Sequence, residues 1–298
     1  MQKIGFIGLG IMGRPMALNL LRKGVPLMVN DIVEEAVAVL TEAGAEYGDY
    51  ASIAAQCPII FTILPNGPIV DMALFSETGL ATHLKPGQIV SDLSSVSPYE
   101  ARSFGERLER IGVHFVDCPV SGGEPKAMDG TLSFMAGGSA DVFEKLKPYY
   151  LKMGASAILT GPVGSGCVTK LANQIIVNMN IASLSEALVL AQKAGADVEK
   201  VYEAIRGGAA GSVMLDAKAP MILNRDFKPG GRISINRKDI RNVLNEANAI
   251  DCPVPLSAQL YEIMQSLKVA GQMEEDHGSI VKYFERLAGV EVRKKERE

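Results

Sequence analysis

Lys170, Asn173 and Gln174 stand at i, i+3 and i+4 of a long helical pattern that opens Gly164-Ser165-Gly166-Cys167-Val168-Thr169. They therefore share one face, and that face is otherwise apolar. An ammonium beside two amides, within reach of a bound carbonyl, can donate a proton as hydride arrives at carbon and recover it in the reverse reaction. Burial would bring the pKa of Lys170 toward the working range. The bland alternative is a lysine snorkelling from a helix flank, and two amides on the same stripe weigh against it.

An anion seat is offered by Asp117-Cys118-Pro119-Val120-Ser121-Gly122-Gly123-Glu124-Pro125. Here a strand ends in the Ser121 hydroxyl, and the N–H groups of Gly122 and Gly123 can converge on one small carboxylate. A Gly-Gly turn with an incidental serine is the alternative.

The hydride source is suggested by Gly8-Leu9-Gly10-Ile11-Met12-Gly13, which follows an apolar strand and opens an amphipathic helix. Gly8 permits the tight turn, Gly10 lets backbone approach a pyrophosphate, and Gly13 lets the helix pack on the strand with its N–H groups toward the anion. About twenty residues later a second strand ends in Asn30-Asp31, the position from which an acidic side chain accepts from a ribose 2′-OH and repels a 2′-phosphate. Asp31 thus favours NAD(H). Arg14 could pair with a 2′-phosphate, so NADP(H) stays open, and Asp31 could instead cap a helix beginning near Val33.

Three further positions are candidates for cofactor contact. Leu64-Pro65-Asn66-Gly67-Pro68 forms a turn that could pass beneath a cofactor ribose, or is a turn with Pro at the first helical position. In Asp92-Leu93-Ser94-Ser95-Val96-Ser97-Pro98, Ser97 reads as a helix cap and Ser95 as a hydroxyl facing the nicotinamide. Lys238, in Arg237-Lys238-Asp239, could close over the nicotinamide from the second domain or belong to a solvated charged face.

Short β-branched runs alternate with helical stretches up to about residue 163, the pattern of a parallel sheet with helices on both faces. Strands are predicted at Ile4 to Gly8, Leu27 to Asn30, Pro58 to Leu64, Gln88 to Asp92, Val113 to Asp117, Thr131 to Gly137 and Ala157 to Thr160. From Ser165 to about Ala194 a continuous helical pattern spans on the order of 40 Å. Helices follow at Asp197 to Arg206, Val213 to Asn224, Ile233 to Ala249, Ser257 to Ala270 and Ser279 to Leu287, with 224–231 as the longest loop. The expected architecture is α/β: a Rossmann-type doubly wound domain over 1–163, then an all-α substrate and oligomerisation domain over 164–298, joined by the long helix.

At 298 residues and 47% apolar content, two packed domains are the natural expectation. No run reaches the roughly twenty uncharged apolar residues of a membrane span, and the N-terminus enters a strand at once, so no membrane and a cytoplasmic address are expected. Cys57, Cys118, Cys167 and Cys252 are scattered, as are His83, His114 and His277; reduced thiols and no metal site are expected. The net charge of −4 carries no basic stripe, which argues against nucleic acid. The mixed cluster Arg293-Lys294-Lys295-Glu296-Arg297-Glu298 sits at a terminus expected to fray. Apolar helix faces left over in the second domain suggest a homo-oligomer, dimer or tetramer.

Six motifs occur in order: GLGIMGRPM (Gly8 to Met16), LPN (Leu64 to Asn66), DLSSVSP (Asp92 to Pro98), DCPVSGG (Asp117 to Gly123), GxxxKLANQ (Gly166 to Gln174) and FKPGGRISINRKD (Phe227 to Asp239). Together they resemble the β-hydroxyacid dehydrogenase family over essentially the whole chain. KLANQ, the stretch from Ile205 to Met221 and Asp276-His277 look most like the branch acting on tartronate semialdehyde. The resemblance implies a Rossmann domain, a long helix, an α-helical domain and an active site in the cleft between them. It assigns the acid/base to Lys170 and carboxylate binding to Ser121, Gly122 and Gly123, and it draws cofactor contacts from the Gly8 to Gly13 loop, Leu64, Pro65, Ser95 and Lys238. Asn173 and Gln174 are the substrate amides it implies; many members carry Asn-Asn there. A second departure is Gly231, where a side chain is common, and this widens the expected substrate pocket. Rival expectations are a sister hydroxyacid or semialdehyde enzyme, an imine reductase of similar architecture, which generally lacks the lysine, and a non-catalytic NAD(H) binder.

Overall fold

The computed structural model describes residues 2–295; Glu296, Arg297 and Glu298 of the terminal charge cluster lie outside them. The chain divides into two compact units, Met1–Lys170 and Leu171–Glu298. The first alternates β1 (Ile4–Ile7), α1 (Gly13–Arg22), β2 (Leu27–Asn30), α2 (Glu34–Glu42), β3 (Glu46–Tyr47), α3 (Tyr50–Gln56), β4 (Ile59–Thr62) and α4 (Gly67–Phe75). It continues with β5 (Ile89–Asp92), α5 (Pro98–Glu109), β6 (His114–Asp117), β7 (Val120–Ser121), α6 (Gly123–Asp129), β8 (Leu132–Gly137), α7 (Ala140–Met153) and β9 (Gly154–Gly161).

Among the described residues these strands form one sheet of order β3-β2-β1-β4-β5-β6-β8-β7, with β9 beside β8. The run from β3 to β6 is parallel throughout. Its direction of travel reverses at β1 and β4, whose carboxyl ends make the crevice where doubly wound sheets bind ligands. Alternate residues feed two cores: Ile4, Phe6, Val29 and Phe61 on one face, Met28, Ile60, Val90 and Phe115 on the other. Burial on both faces is why these strands read as unbroken apolar runs.

The far end of the sheet departs from the all-parallel expectation. β8 runs antiparallel to β6 and β7, and β9 is parallel to β8. The short β3, β7 and α6 were not legible, because two to seven residues carry no measurable period.

α8 (Ser165–Lys193) begins in the first unit and continues into the second, where α9 (Val198–Arg206), α10 (Val213–Leu223), α11 (Ile233–Ala249), α12 (Pro255–Val269) and α13 (Val281–Ala288) follow. A 3-10 turn, His277–Ile280, precedes α13. By length and composition α8 is apolar enough to cross a membrane, against the expectation that no stretch would be. Several of its apolar side chains pack in the second unit: Leu171, Ile181 and Ala182 join one core, Leu184, Leu188 and Val189 another.

The terminus expected to fray is anchored as far as Lys294. Val292 is fully buried, Arg293 N donates to Gln192 Oε1, and Lys294 Nζ meets Glu199 at 3.0 Å.

Candidate active site

The glycine loop between β1 and α1 fits a pyrophosphate, and each glycine has a separate reason. A Cβ on Gly8 would lie 2.2 Å from Ile63 O, and one on Gly13 would lie 2.0 Å from Gly8 O, so backbone packing excludes any side chain at either. Around Gly10 a Cβ would meet nothing within 4 Å, so the fold itself does not require glycine there and the backbone stays open to an approaching ligand. No side chain caps α1, and its first turn holds no acid, which suits an anion at the helix N-terminus. Leu9 is buried, Met12 half-buried and Ile11 exposed.

Asp31 does not cap α2, which starts behind Val33 without a side-chain cap. Its Oδ1 accepts from Val33 N at 2.9 Å and its Oδ2 from Leu9 N, so one carboxylate ties the glycine loop to the next βα turn. Asn30 serves the same junction: its carbonyl accepts from Gly8 N and its Nδ2 donates to Gly48 O.

Two aspartates that end adjacent strands organise the remaining loops. Asp92 and Asp117 are register partners of β5 and β6, and both are almost wholly buried. Asp92 Oδ1 accepts from Thr62 Oγ1 at 2.8 Å and from the hydroxyl and N–H of Ser94; Ser94 Oγ in turn accepts from Leu64 N at 2.8 Å. The Leu64-Pro65 turn and the serine loop are thereby locked together. Asn66 caps α4 through Ile69 N, with Pro68 in its first turn, and Ser97 caps α5 in a reciprocal box with Glu100. Ser95 stands half-buried between Ser94 and Val96.

Asp92 Oδ2 has no hydrogen-bond partner. Burial pushes the Asp92 carboxyl up to about 6, with the Asp117 charge adding to the rise and the bonds from Ser94 and Thr62 opposing it. The folded state then holds a proton that the unfolded chain has released, so this group's contribution to stability falls as pH rises from about 4 to about 6. Asp92→Asn should gain roughly 3 kcal/mol on the wild type across that window, and the difference should level off above it. Urea unfolding of both proteins at several pH values checks this; a difference independent of pH would contradict a protonated Asp92.

Asp117 anchors the helix that carries the lysine. Its Oδ1 accepts from Gly164 N and its Oδ2 from Cys167 N, both at 2.7 Å, at the N-terminus of α8. Burial raises the Asp117 carboxyl, and these two N–H groups oppose the rise. Gly166 permits the contact, since a Cβ there would stand 2.3 Å from Met135 O and 2.5 Å from Asp117 O. Lys170, half-buried, follows Cys167 by three residues, and Ser121, half-buried on β7, follows Asp117 by four. One carboxylate thus fastens the helix of Lys170 to the strand end that leads into Ser121. Gly122 and Gly123 are exposed, with φ of 139° and 68°, and open α6.

In the second unit Gln174 is 7% exposed and its amide is committed to protein partners. Its Oε1 accepts from Asn173 Nδ2 at 3.0 Å, and its Nε2 donates to Asp239 Oδ2 at 2.6 Å and Asn236 Oδ1 at 3.4 Å. Lys238 is half-buried on α11 with Asp239 Oδ1 at 3.4 Å, so it is not part of a solvated face. Asn236, Asp239 and the pair Asp92–Asp117 had not been singled out for these roles. A polar side chain among the apolar positions of a helix, or an acid closing an apolar strand, was the available signal. Cys118 and Cys167 are deeply buried and burial holds their thiols well up, which removes them as thiolate nucleophiles. Among the described residues no three His, Cys, Asp or Glu gather as a metal site.

A glycine cradle at the switch point of a doubly wound sheet, followed by a helical unit, defines an NAD(P)-dependent oxidoreductase. Residues 3–171 match the family model of the NAD binding domain of 6-phosphogluconate dehydrogenase, and residues 164–284 that of the NAD-binding domain of NADP-dependent 3-hydroxyisobutyrate dehydrogenase. The chain belongs to the β-hydroxyacid dehydrogenase family, whose members act on CH–OH groups. It is 39% identical to the 2-hydroxy-3-oxopropionate reductase of Escherichia coli K12, over 96% of this chain and 98% of that protein. It is 36% identical to the 2-(hydroxymethyl)glutarate dehydrogenase of Eubacterium barkeri, over 97% of each. The crystal structure of 3-hydroxyisobutyrate dehydrogenase from Salmonella typhimurium superposes with a TM-score of 0.84 at 28% identity, covering 95% of this chain and 99% of that one.

Proposed function

We propose that the protein reduces tartronate semialdehyde (2-hydroxy-3-oxopropanoate) to glycerate with NADH, using Lys170 as the general acid. The observation that carries this reading is the Asp117 carboxylate, which fixes the start of the Lys170 helix and the approach to Ser121 at one strand end. The identity to the E. coli 2-hydroxy-3-oxopropionate reductase supports the choice of substrate.

In the proposed reaction the Ser121 hydroxyl and the N–H groups of Gly122 and Gly123 bind the substrate carboxylate, and Asn173 orients the carbonyl. Gln174, whose Nε2 donates to Asp239 and Asn236, holds the helix face in place beside Asn173. NADH, when bound, supplies the hydride to the aldehyde carbon. Lys170 Nζ gives its proton to the carbonyl oxygen, so that a primary alcohol forms, and the neutral amine recovers a proton from water. Positioning of the reactants contributes much of the rate. The Gly8 to Gly13 loop would hold the pyrophosphate, with Leu64, Pro65, Ser95 and Lys238 nearer the nicotinamide. Asp31 supports NADH over NADPH, because its carboxylate sits against the loop at the end of β2.

The test is NADH oxidation with tartronate semialdehyde, succinic semialdehyde, methylmalonate semialdehyde and glyoxylate in parallel, repeated with NADPH. The highest kcat/KM is expected for tartronate semialdehyde with NADH. Preference for another semialdehyde moves the function to a sister activity, and no oxidation of any leaves a dinucleotide binder.

A further inference from the structure

Within the first unit, the order of the strands fixes how a dinucleotide lies along the carboxyl edge of the sheet. In the run β2-β1-β4-β5, Asp31 follows β2 on one side of the glycine loop, and the ends of β4 and β5 lie on the other. With the pyrophosphate on that loop and the adenosine ribose at Asp31, the nicotinamide riboside extends toward Leu64-Pro65 and Ser95.

Main-chain bonds tie these strand ends together as far as residues 63 and 93. Ile63 N donates to Ile7 O at 2.9 Å, and Leu93 N donates to Thr62 O at 2.7 Å. One residue further, the Leu64-Pro65 turn has a single main-chain donor, Leu64 N, because Pro65 carries no N–H. A side chain receives it: Leu64 N donates to Ser94 Oγ at 2.8 Å. The Ser94 hydroxyl gives its own hydrogen to Asp92 Oδ1, which leaves its lone pairs for Leu64. Asp92 Oδ1 also accepts from Ser94 N at 3.2 Å and from Thr62 Oγ1 at 2.8 Å, so the same oxygen is fastened to the end of β4. Thr62, Asp92 and Ser94 are each no more than 2% exposed, so water does not compete for these bonds.

We propose that Ser94, oriented by Asp92, is a positioning residue for the nicotinamide half of the cofactor: its hydroxyl sets the separation between the Leu64-Pro65 turn and the loop that carries Ser95. The inference rests on the proposed contacts of Leu64, Pro65 and Ser95 with the cofactor. Ser94 acts through those neighbours. Without its hydroxyl, Leu64 N loses its acceptor, and the turn and the serine loop must be brought into register by the cofactor itself, which weakens binding of that half alone.

The test is calorimetric titration of wild type, Ser94→Ala and Ser91→Ala with NADH and with ADP, which keeps the adenosine and two phosphates and lacks the nicotinamide riboside. Ser91 precedes Asp92 on β5, and its buried hydroxyl bonds Tyr150 at 2.8 Å, so Ser91→Ala removes a hydrogen bond from the same strand and leaves the turn intact. The wild type should bind NADH more tightly than ADP. Ser94→Ala should weaken NADH roughly tenfold and leave the Kd for ADP unchanged, and Ser91→Ala should alter neither. Ser94→Cys, close in size but a poorer acceptor, should shift NADH in the same direction and carries the test if the alanine variant fails to fold. Retained NADH affinity in the Ser94 variants, an equal loss on both ligands, or the same selective loss in Ser91→Ala overturns the positioning role alone. A wild type that binds ADP as tightly as NADH overturns the contacts proposed for Leu64, Pro65 and Ser95, and the inference with them.

Discussion

Lys170→Ala is expected to lower kcat by roughly 10²- to 10⁴-fold while leaving the Kd for NADH nearly unchanged. The expectation separates two jobs that the fold keeps on different elements. Binding of the dinucleotide depends on the loop between β1 and α1, where Gly8 and Gly13 are dictated by packing and Asp31 bonds Leu9 N. Proton delivery depends on α8, whose first N–H groups are held by Asp117. Removing an ammonium from the second turn of α8 touches neither of these bonds. Steady-state kinetics with a fluorescence titration of NADH reads both quantities. A variant with retained kcat would refute Lys170 as the acid, and one that lost NADH binding in step with kcat would point to a structural role.

The largest loss of stability is expected at Asp276→Ala, roughly 3–5 kcal/mol. The carboxylate is fully buried and receives five bonds: Lys218 Nζ at 2.8 and 2.9 Å, Gly278 N at 2.8 Å, Gly231 N at 2.9 Å and Gly230 N at 3.0 Å. Lys218 is itself only 6% exposed, so truncation would leave its ammonium and the Gly278 N–H buried without their acceptor and release the N–H groups of Gly230 and Gly231. Burial alone would raise the Asp276 carboxyl, but the Lys218 bond, the Gly278 N–H and the nearby His277 together hold it below the ordinary range. A lowered carboxylate pKa contributes stability above the unfolded value and loses it as pH falls through the folded one, so the pair is also an acid-labile point. Lys218→Met combined with Asp276→Leu should recover much of the loss, since an apolar pair of similar size removes both charges. Urea unfolding of the two variants beside the wild type is the check. A cost below about 1 kcal/mol for the single change would mean that the buried pair is not a tie.

The glycine loop, the strands β1, β2, β4, β5 and β6 and the long helix were legible in the sequence because each is written in local signals. Leu27 to Asn30 and Ile233 to Ala249 were bounded as they are found, since a period of 2 or 3.6 over an apolar face survives in a single window. The reversal at β8 was not legible, because one antiparallel neighbour changes no residue pattern within the strand.

The amino-acid sequence by itself determined the dinucleotide cradle, the two-part architecture and the lysine-and-amide stripe, all of which depend on spacings of a few residues. Only the tertiary structure decided which groups those elements bring together. Asp92 and Asp117 become neighbours because β5 pairs with β6, Gln174 is held by residues more than sixty positions away, and Gly231 meets His277 across a loop. Hydrogen bonds and burial act through space, and no local period records a partner that lies far along the chain.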